Sequence, residues 1–235
     1  MPPLYPRMRE RPEEFRINYD APLAEGLAFA GLGGHGCVGS MVYPDSSPYH
    51  HNGTLVNMDA ATDWVWTPAL GRWGLDLIGG TKYVSLFDVS SYTSASISFW
   101  VRSAVSTTTE QALYGGCGLD VRQYFDGKIY VYVGPHRINP TTPLSIDTDV
   151  AWCHSFTQGV SQVLYINGRW YASAKAGTLS TGTLTPGWSN VYWYCLSRLS
   201  DFLFHARILS PSEISALADP SNVDLRVGGV PLILP

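Results

Sequence analysis

Ser96-Ile97-Ser98-Phe99-Trp100-Val101 places Ile97, Phe99 and Val101 on one side of an extended chain and Ser98 and Trp100 on the other. A period of two is the spacing of a pleated strand, whose successive side chains point to opposite faces. Both faces carry apolar or aromatic groups, so the strand is expected to be covered on both sides, as in a layered β-sandwich. The same alternation recurs downstream. Ile129, Val131 and Val133 alternate with Tyr130 and Tyr132, and Val191, Trp193 and Cys195 alternate with Tyr192 and Tyr194. Between such runs lie Asp126-Gly127 and Asn167-Gly168, dipeptides that favour the positive φ angles of a two-residue type I′ hairpin. Together these pieces predict an all-β, two-sheet antiparallel jelly-roll sandwich.

One helix stands out near the end of the chain. Ser210-Pro211-Ser212-Glu213 has a capping serine, a proline at the first helical position and a glutamate at the third. Ile214, Leu217 and Ala218 give an apolar face and Asp219-Pro220 stops it, so the spacing predicts a helix over about 210–219. Two turns cannot survive alone, and the helix must lean on the sandwich. The two ends differ in kind from the middle. Residues 1–22 mix prolines with Arg7, Arg9, Arg11, Arg16 and three glutamates, and have no apolar periodicity. They read as an extended arm, a disordered tail in an isolated chain or, in the sharper reading, an arm that becomes ordered against a neighbouring subunit. Residues 223–235 close on Val230-Pro231-Leu232-Ile233-Leu234-Pro235, an apolar tail expected to pack on the domain or on a neighbour. The expected division is an arm at 1–22, a jelly-roll domain at 23–222 and a tail at 223–235.

Composition narrows the function classes. The 235 residues are 45% hydrophobic and only 14% charged, with a formal charge of −4. Basic residues are scattered singly after Arg16, which leaves no footprint for nucleic-acid phosphates. No window approaches the ~20 consecutive apolar residues of a membrane span, and the start has no apolar signal core. Cys37, Cys117, Cys153 and Cys195 are widely spaced, which favours four reduced, buried thiols and folding in a cytoplasm.

Read in order, the segments resemble the concanavalin A-like lectin/glucanase superfamily, and within it the laminin-G-like (LamG) jelly roll of the bacterial and bacteriophage type. The resemblance spans roughly residues 21–220. It rests on Ala21-Pro22-Leu23-Ala24-Glu25-Gly26-Leu27, His50-His51-Asn52-Gly53-Thr54-Leu55 and Trp73-Gly74-Leu75-Asp76-Leu77 with Tyr83-Val84-Ser85-Leu86. It continues through Ser96–Val101, Trp152–Phe156, Leu164–Arg169, Asp201-Phe202 and Arg207–Ile214. Gly31 to Pro44 departs from the family pattern, in which that stretch is more acidic. Function varies widely across this superfold, so the likeness speaks to architecture more than to activity.

Catalytic chemistry finds little footing. The Glu-x-Asp-x-x-Glu strand pattern of the family's glycoside hydrolases is absent, and no Gly-x-Ser-x-Gly elbow occurs. Cys153 and His154 are sequence neighbours, so a strand sends them to opposite faces. Gly33-Gly34-His35-Gly36 lacks the Lys-Ser/Thr of a phosphate loop. The His50-His51 pair has no zinc spacing. The resemblance implies calcium as the candidate ion, with Asp45, Asp59, Asp63 and Asp201 as candidate ligands. The competing reading of each is a turn aspartate bonded to nearby backbone. For sugars, the candidate platforms are Trp64, Trp66, Tyr114, Tyr124, Trp170, Trp188 and Tyr192, against the ordinary role of such rings in packing.

The expected function is therefore non-enzymatic: a structural subunit on the surface of a virus particle, a capsid decoration or fibre-associated protein whose lectin-like fold contacts glycans. Its partners would be other subunits met by Arg7, Arg9, Arg11 and Arg16, after assembly in a host cytoplasm. The alternative is a free, extracellular carbohydrate-binding or adhesion module, and a glycoside hydrolase is the minor one.

Overall fold

The structure is a computed structural model that describes residues 16–17, 20–32, 37, 39–68, 70, 72–79, 81–103, 110–124, 126, 128–139, 148–189, 193–220 and 226–227. In chain order its strands begin with β1 (Arg16–Ile17), β2 (Leu27–Gly31), β3 (Val42–Tyr43), β4 (Gly53–Val56), β5 (Trp64–Thr67), β6 (Arg72–Asp76) and β7 (Tyr83–Ser85). The middle strands are β8 (Ser94–Ser103), β9 (Gln111–Gly116), β10 (Leu119–Gln123), β11 (Ile129–Val133), β12 (His136–Ile138) and β13 (Val150–Thr157). There follow β14 (Ser161–Ile166), β15 (Arg169–Ala174), β16 (Thr185–Pro186), β17 (Trp188–Ser189), β18 (Trp193–Tyr194), β19 (Ser197–His205) and β20 (Arg226–Val227). A 3-10 turn spans Pro22–Ala24, and helix α1 spans Pro211–Leu217.

Two antiparallel sheets form the sandwich. The larger runs β15-β14-β13-β8-β19-β6-β5, with β2 also paired to β19, and the smaller runs β12-β11-β10-β9-β16. The strand with two apolar faces, β8, lies in the middle of the larger sheet between β13 and β19. Its inward residues Ile97, Phe99 and Val101 join Trp152 and Phe156 of β13 and Tyr114, Val121 and Val131 of the smaller sheet in the main core. Phe99 stacks on Phe202 at 5.6 Å and meets the Tyr114 ring edge-on at 5.7 Å. The other face of the same sheet is also covered. Cys153 and Leu203 pack under Ile17, Leu23, Leu209 and Ile214, while Trp100 packs with Leu70, Ala151 and Ala218. The N-terminal turn and α1 thus supply the second apolar layer that β8 calls for. Ile17 belongs to this layer although it falls in the arm, and β1 pairs with β20 through Arg16↔Val227 and Ile17↔Arg226.

The helix has the capping box read from sequence: Ser210 Oγ accepts from the Glu213 N–H and Glu213 Oε2 accepts from the Ser210 N–H at 2.7 Å. Glu213 also holds Arg207, whose Nη2 lies 2.5 Å from Oε1, and Arg207 donates onward to the carbonyls of Pro22 and Glu25. One guanidinium therefore ties α1 to the N-terminal turn, and it holds the Glu213 carboxyl down at about 2.

Asn167-Gly168 is a two-residue hairpin with both φ angles positive, 49° and 75°, as expected. At Asp126-Gly127 the β10–β11 register pairs Gln123 with Ile129, and the Tyr124 N–H meets the Lys128 carbonyl, which leaves three positions rather than two between Tyr124 and Lys128; residues 125 and 127 lie outside the described residues. Asp126 Oδ1 accepts the Lys128 N–H across this turn, a side-chain bond that the dipeptide rule does not consider. Of the stretch read as a strand from Val191 to Cys195, the described strand is Trp193–Tyr194, and residues 190–192 lie outside the described residues. No disulfide joins Cys37, Cys117, Cys153 and Cys195, and all four are buried.

Candidate functional site

Coverage decides where a site can lie. The outer face of the larger sheet is roofed by α1 and the N-terminal turn. In the smaller sheet every residue of β9 is buried, because β17 crosses its outer face: a Cβ on Gly115 would meet Ser189 Cα at 2.7 Å. Among the described residues, the side chains on the outer face of β10, β11 and β12 are half-buried to exposed.

Alternation fills that face. Leu119, Val121 and Gln123 point inward from β10, and Asp120 and Arg122 point out. Ile129, Val131 and Val133 point inward from β11, and Tyr130 and Tyr132 point out. Register sets Arg137, Tyr132 and Asp120 in one row across the three strands, with Tyr130 opposite Arg122 in the next. Tyr124, just past β10, meets Tyr130 edge-on at 4.7 Å, and its hydroxyl lies 3.4 Å from that of Tyr132. Arg122 lies over the Tyr132 ring at 5.8 Å and Arg137 over the Tyr130 ring at 5.3 Å, within cation–π range. Arg137 also donates to the Tyr132 hydroxyl at 3.5 Å.

The charges on the face are mostly paired. Arg122 bonds Asp120, and Lys128 lies 3.4 Å from Asp126, which also accepts the Lys128 N–H and the hydroxyl of Tyr130, each at 3.0 Å. The phenols stay neutral donors: desolvation and the Tyr132 hydroxyl push Tyr124 up to about 12, and desolvation and Asp126 raise Tyr130. The result is a half-exposed field of three rings bordered by two guanidinium groups. Such a surface can stack against an apolar ligand face and donate several hydrogen bonds around it.

Among the candidates read from sequence, only Tyr124 belongs to this field. Trp64 is buried against Tyr43 at 5.8 Å and Trp66 meets Trp73 edge-on at 5.9 Å. Trp188 leans on Tyr83 at 5.1 Å beside the open face. Trp170 is 62% exposed at the far edge strand of the larger sheet. Tyr114 is wholly buried, and Tyr192 lies outside the described residues. Tyr130, Tyr132, Arg122 and Arg137 were not singled out. The β11 alternation carries a signal for Tyr130 and Tyr132, as its outward half, whereas Arg122 on β10 and Arg137 on β12 have no local signal of this kind.

The aspartates are dispersed. Asp45 has both oxygens occupied by the N–H groups of Ala30, Ser47 and His51 and by the Ser47 hydroxyl, a brace for the 45–51 turn. Asp63 accepts from the Asp59 N–H and pairs with Lys82 at 2.7 Å, while Asp59 caps the Ala61 N–H. Asp201 sits at a register shift in β19 with φ 50°, lining a cavity of about 40 Å³ under α1. Among the described residues no three His, Cys, Asp or Glu side chains converge as a metal site requires. Arg7, Arg9 and Arg11 lie outside the described residues, and Arg16 is described only through its backbone pairing in β1.

Cys153 and His154 do face apart. Cys153 lies in the layer beneath α1 and burial pushes its thiol up to about 12. His154 points into the core, where burial pushes it down to about 3. No nucleophile–base pair arises from them.

No protein-family model and no curated protein matches the sequence. Solved structures do match. The binding domain of botulinum neurotoxin DC in complex with SialylT superposes with a TM-score of 0.61 at 14% identity, covering 83% of this chain and 52% of that one. The binding domain of Paraclostridial Mosquitocidal Protein 1 gives 0.60 at 19% identity, covering 83% and 52%. Trypanosoma rangeli sialidase in complex with the inhibitor DANA gives 0.61 at 11% identity, covering 81% and 32%. The chain therefore spans about half the length of these binding domains and about a third of the sialidase. At such identities the likeness is one of fold, a lectin-like jelly-roll sandwich.

Proposed function

We propose that the protein is a non-enzymatic carbohydrate-binding module whose binding surface is the outer face of β10, β11 and β12. The observation that carries this reading is the open field of Tyr124, Tyr130 and Tyr132 bordered by Arg122 and Arg137, on a sheet whose other outer surface is covered. Sugar rings present apolar C–H faces to aromatic side chains and hydroxyls to their polar rim, which suits such a field. The superposition on a binding domain in complex with SialylT supports the same class of function. The sialidase neighbour is the argument for the hydrolase alternative, and the missing Glu-x-Asp-x-x-Glu pattern weighs against it. A glycan microarray tests the reading. The protein should bind a defined subset of glycans, and Tyr130→Ala with Tyr132→Ala should lower those signals at least tenfold while the melting temperature holds. Binding unchanged in the double variant, or no binding to any glycan, would overturn it.

The finer reading is a LamG-like module of the bacteriophage type, carried on a virus particle. Its support is the ordered series of family-like segments and the pairing of β1 with β20, which brings the end segments together on the side of the sandwich opposite the tyrosine face. An end-anchored domain would then display that face outward. Deleting residues 1–15 should abolish attachment to particles, and a truncated protein that still attaches would sink this reading.

A further inference from the structure

Charge bookkeeping on the tyrosine face singles out one residue. Arg122 is matched by Asp120 and Lys128 by Asp126. Among the described residues Arg137 meets no carboxylate: its partners are the Tyr132 hydroxyl at 3.5 Å and the Tyr130 ring at 5.3 Å. Both hold the guanidinium against the rings. Hydrogen bonding to Tyr132 raises the Arg137 pKa further, so the charge is permanent. Among the described residues the face thus carries a cation with no carboxylate partner, on a chain whose formal charge is −4. A guanidinium presents a rigid fork of donors that matches two oxygens of one anion, and few of those donors are used here.

We infer that this face selects acidic sugars, with Arg137 pairing the carboxylate or sulfate of a saccharide whose ring lies on Tyr130 and Tyr132. The inference rests on the proposed carbohydrate-binding role and deepens it. A neutral sugar would gain only the stacking and hydroxyl contacts. An acidic one would add a charge-assisted pair at the edge of a half-buried aromatic surface, where screening is weaker than in open water. Arg122 differs in that its charge is already paired with the Asp120 carboxylate through Nη2.

Calorimetric titration of the full chain with lactose, 3′-sialyllactose and 3′-sulfolactose separates the possibilities. At least one acidic probe should bind about tenfold or more tightly than lactose, and the tighter of the two identifies carboxylate or sulfate as the preferred group. Arg137→Gln should bring the acidic probe to within about twofold of lactose, both measured on the same variant, while the melting temperature holds. Raising salt from 50 to 500 mM should narrow the difference in the wild type and have no such effect in the variant. Equal affinity for all three probes in the wild type would overturn the selection of acids and leave the carbohydrate-binding role standing. An acidic preference that survives Arg137→Gln would overturn the assignment to Arg137. Absence of binding to all three, together with an empty glycan array, would overturn both.

Discussion

At the residue scale, the polar groups buried between the sheets make the protein sensitive to acid. Tyr114 of the smaller sheet and His154 of the larger one meet at 2.6 Å, fully buried. Gln162 donates both amide hydrogens to the carbonyls of His136 and Lys175, so its oxygen faces His154 Nε2 at 3.3 Å and that nitrogen carries the proton. Nδ1 is then the acceptor for the Tyr114 hydroxyl. The network is complete only with a neutral imidazole. His205 is likewise buried, with Nε2 on the Leu23 carbonyl at 2.8 Å. Burial lowers His154 to about 3 and His205 to about 4, against ~6.5 in an unfolded chain. A lowered histidine contributes stability that is complete above pH 6.5 and lost as pH falls toward the folded value. Denaturant unfolding between pH 7.5 and 4.5 should therefore reveal a loss of about 2–3 kcal/mol per histidine. In His154→Gln, whose amide does not titrate, the pH dependence should fall by about half. A flat profile in the wild type would contradict the buried, neutral assignment.

At the element scale, the legible parts are those fixed by local chemistry. The β8, β11 and α1 segments were readable because alternation, capping and turn residues act within a few positions. The Asp126 loop was misread because its length follows from a register that only the paired strands define. The tyrosine field was missed for a related reason: Tyr130 and Tyr132 are ordinary strand residues until β17 covers β9 and leaves β10–β12 open. The fate of β1 is another long-range matter. Nothing near Ile17 announces burial, yet it is 3% exposed in the layer that contains Leu23, Leu203 and Ile214. Burial of such a side chain is worth about 2–3 kcal/mol. For a chain of this size that is roughly 5–10 °C. Deleting residues 1–15 should shift the melting temperature by less than about 2 °C, and deleting 1–20 should lower it by about 5 °C or more. Equal melting temperatures for the two truncations would show that β1 adds nothing to the domain.

At the scale of the whole molecule, the sandwich has two unlike sides. One outer surface is closed by α1, the N-terminal turn and the β1–β20 pair, and the other presents tyrosines and arginines. That polarity is a property of coverage, which no single stretch of sequence states. Ligand should therefore touch β10, β11 and β12 and leave the α1 side alone. Amide and arginine side-chain chemical-shift mapping during titration with a glycan selected on the array measures this directly. The largest changes are expected at Asp120, Arg122, Tyr124, Tyr130, Tyr132 and Arg137. Changes centred instead on Trp170, or on the turn around Asp45 and His51, with the β10–β12 face silent, would contradict this placement.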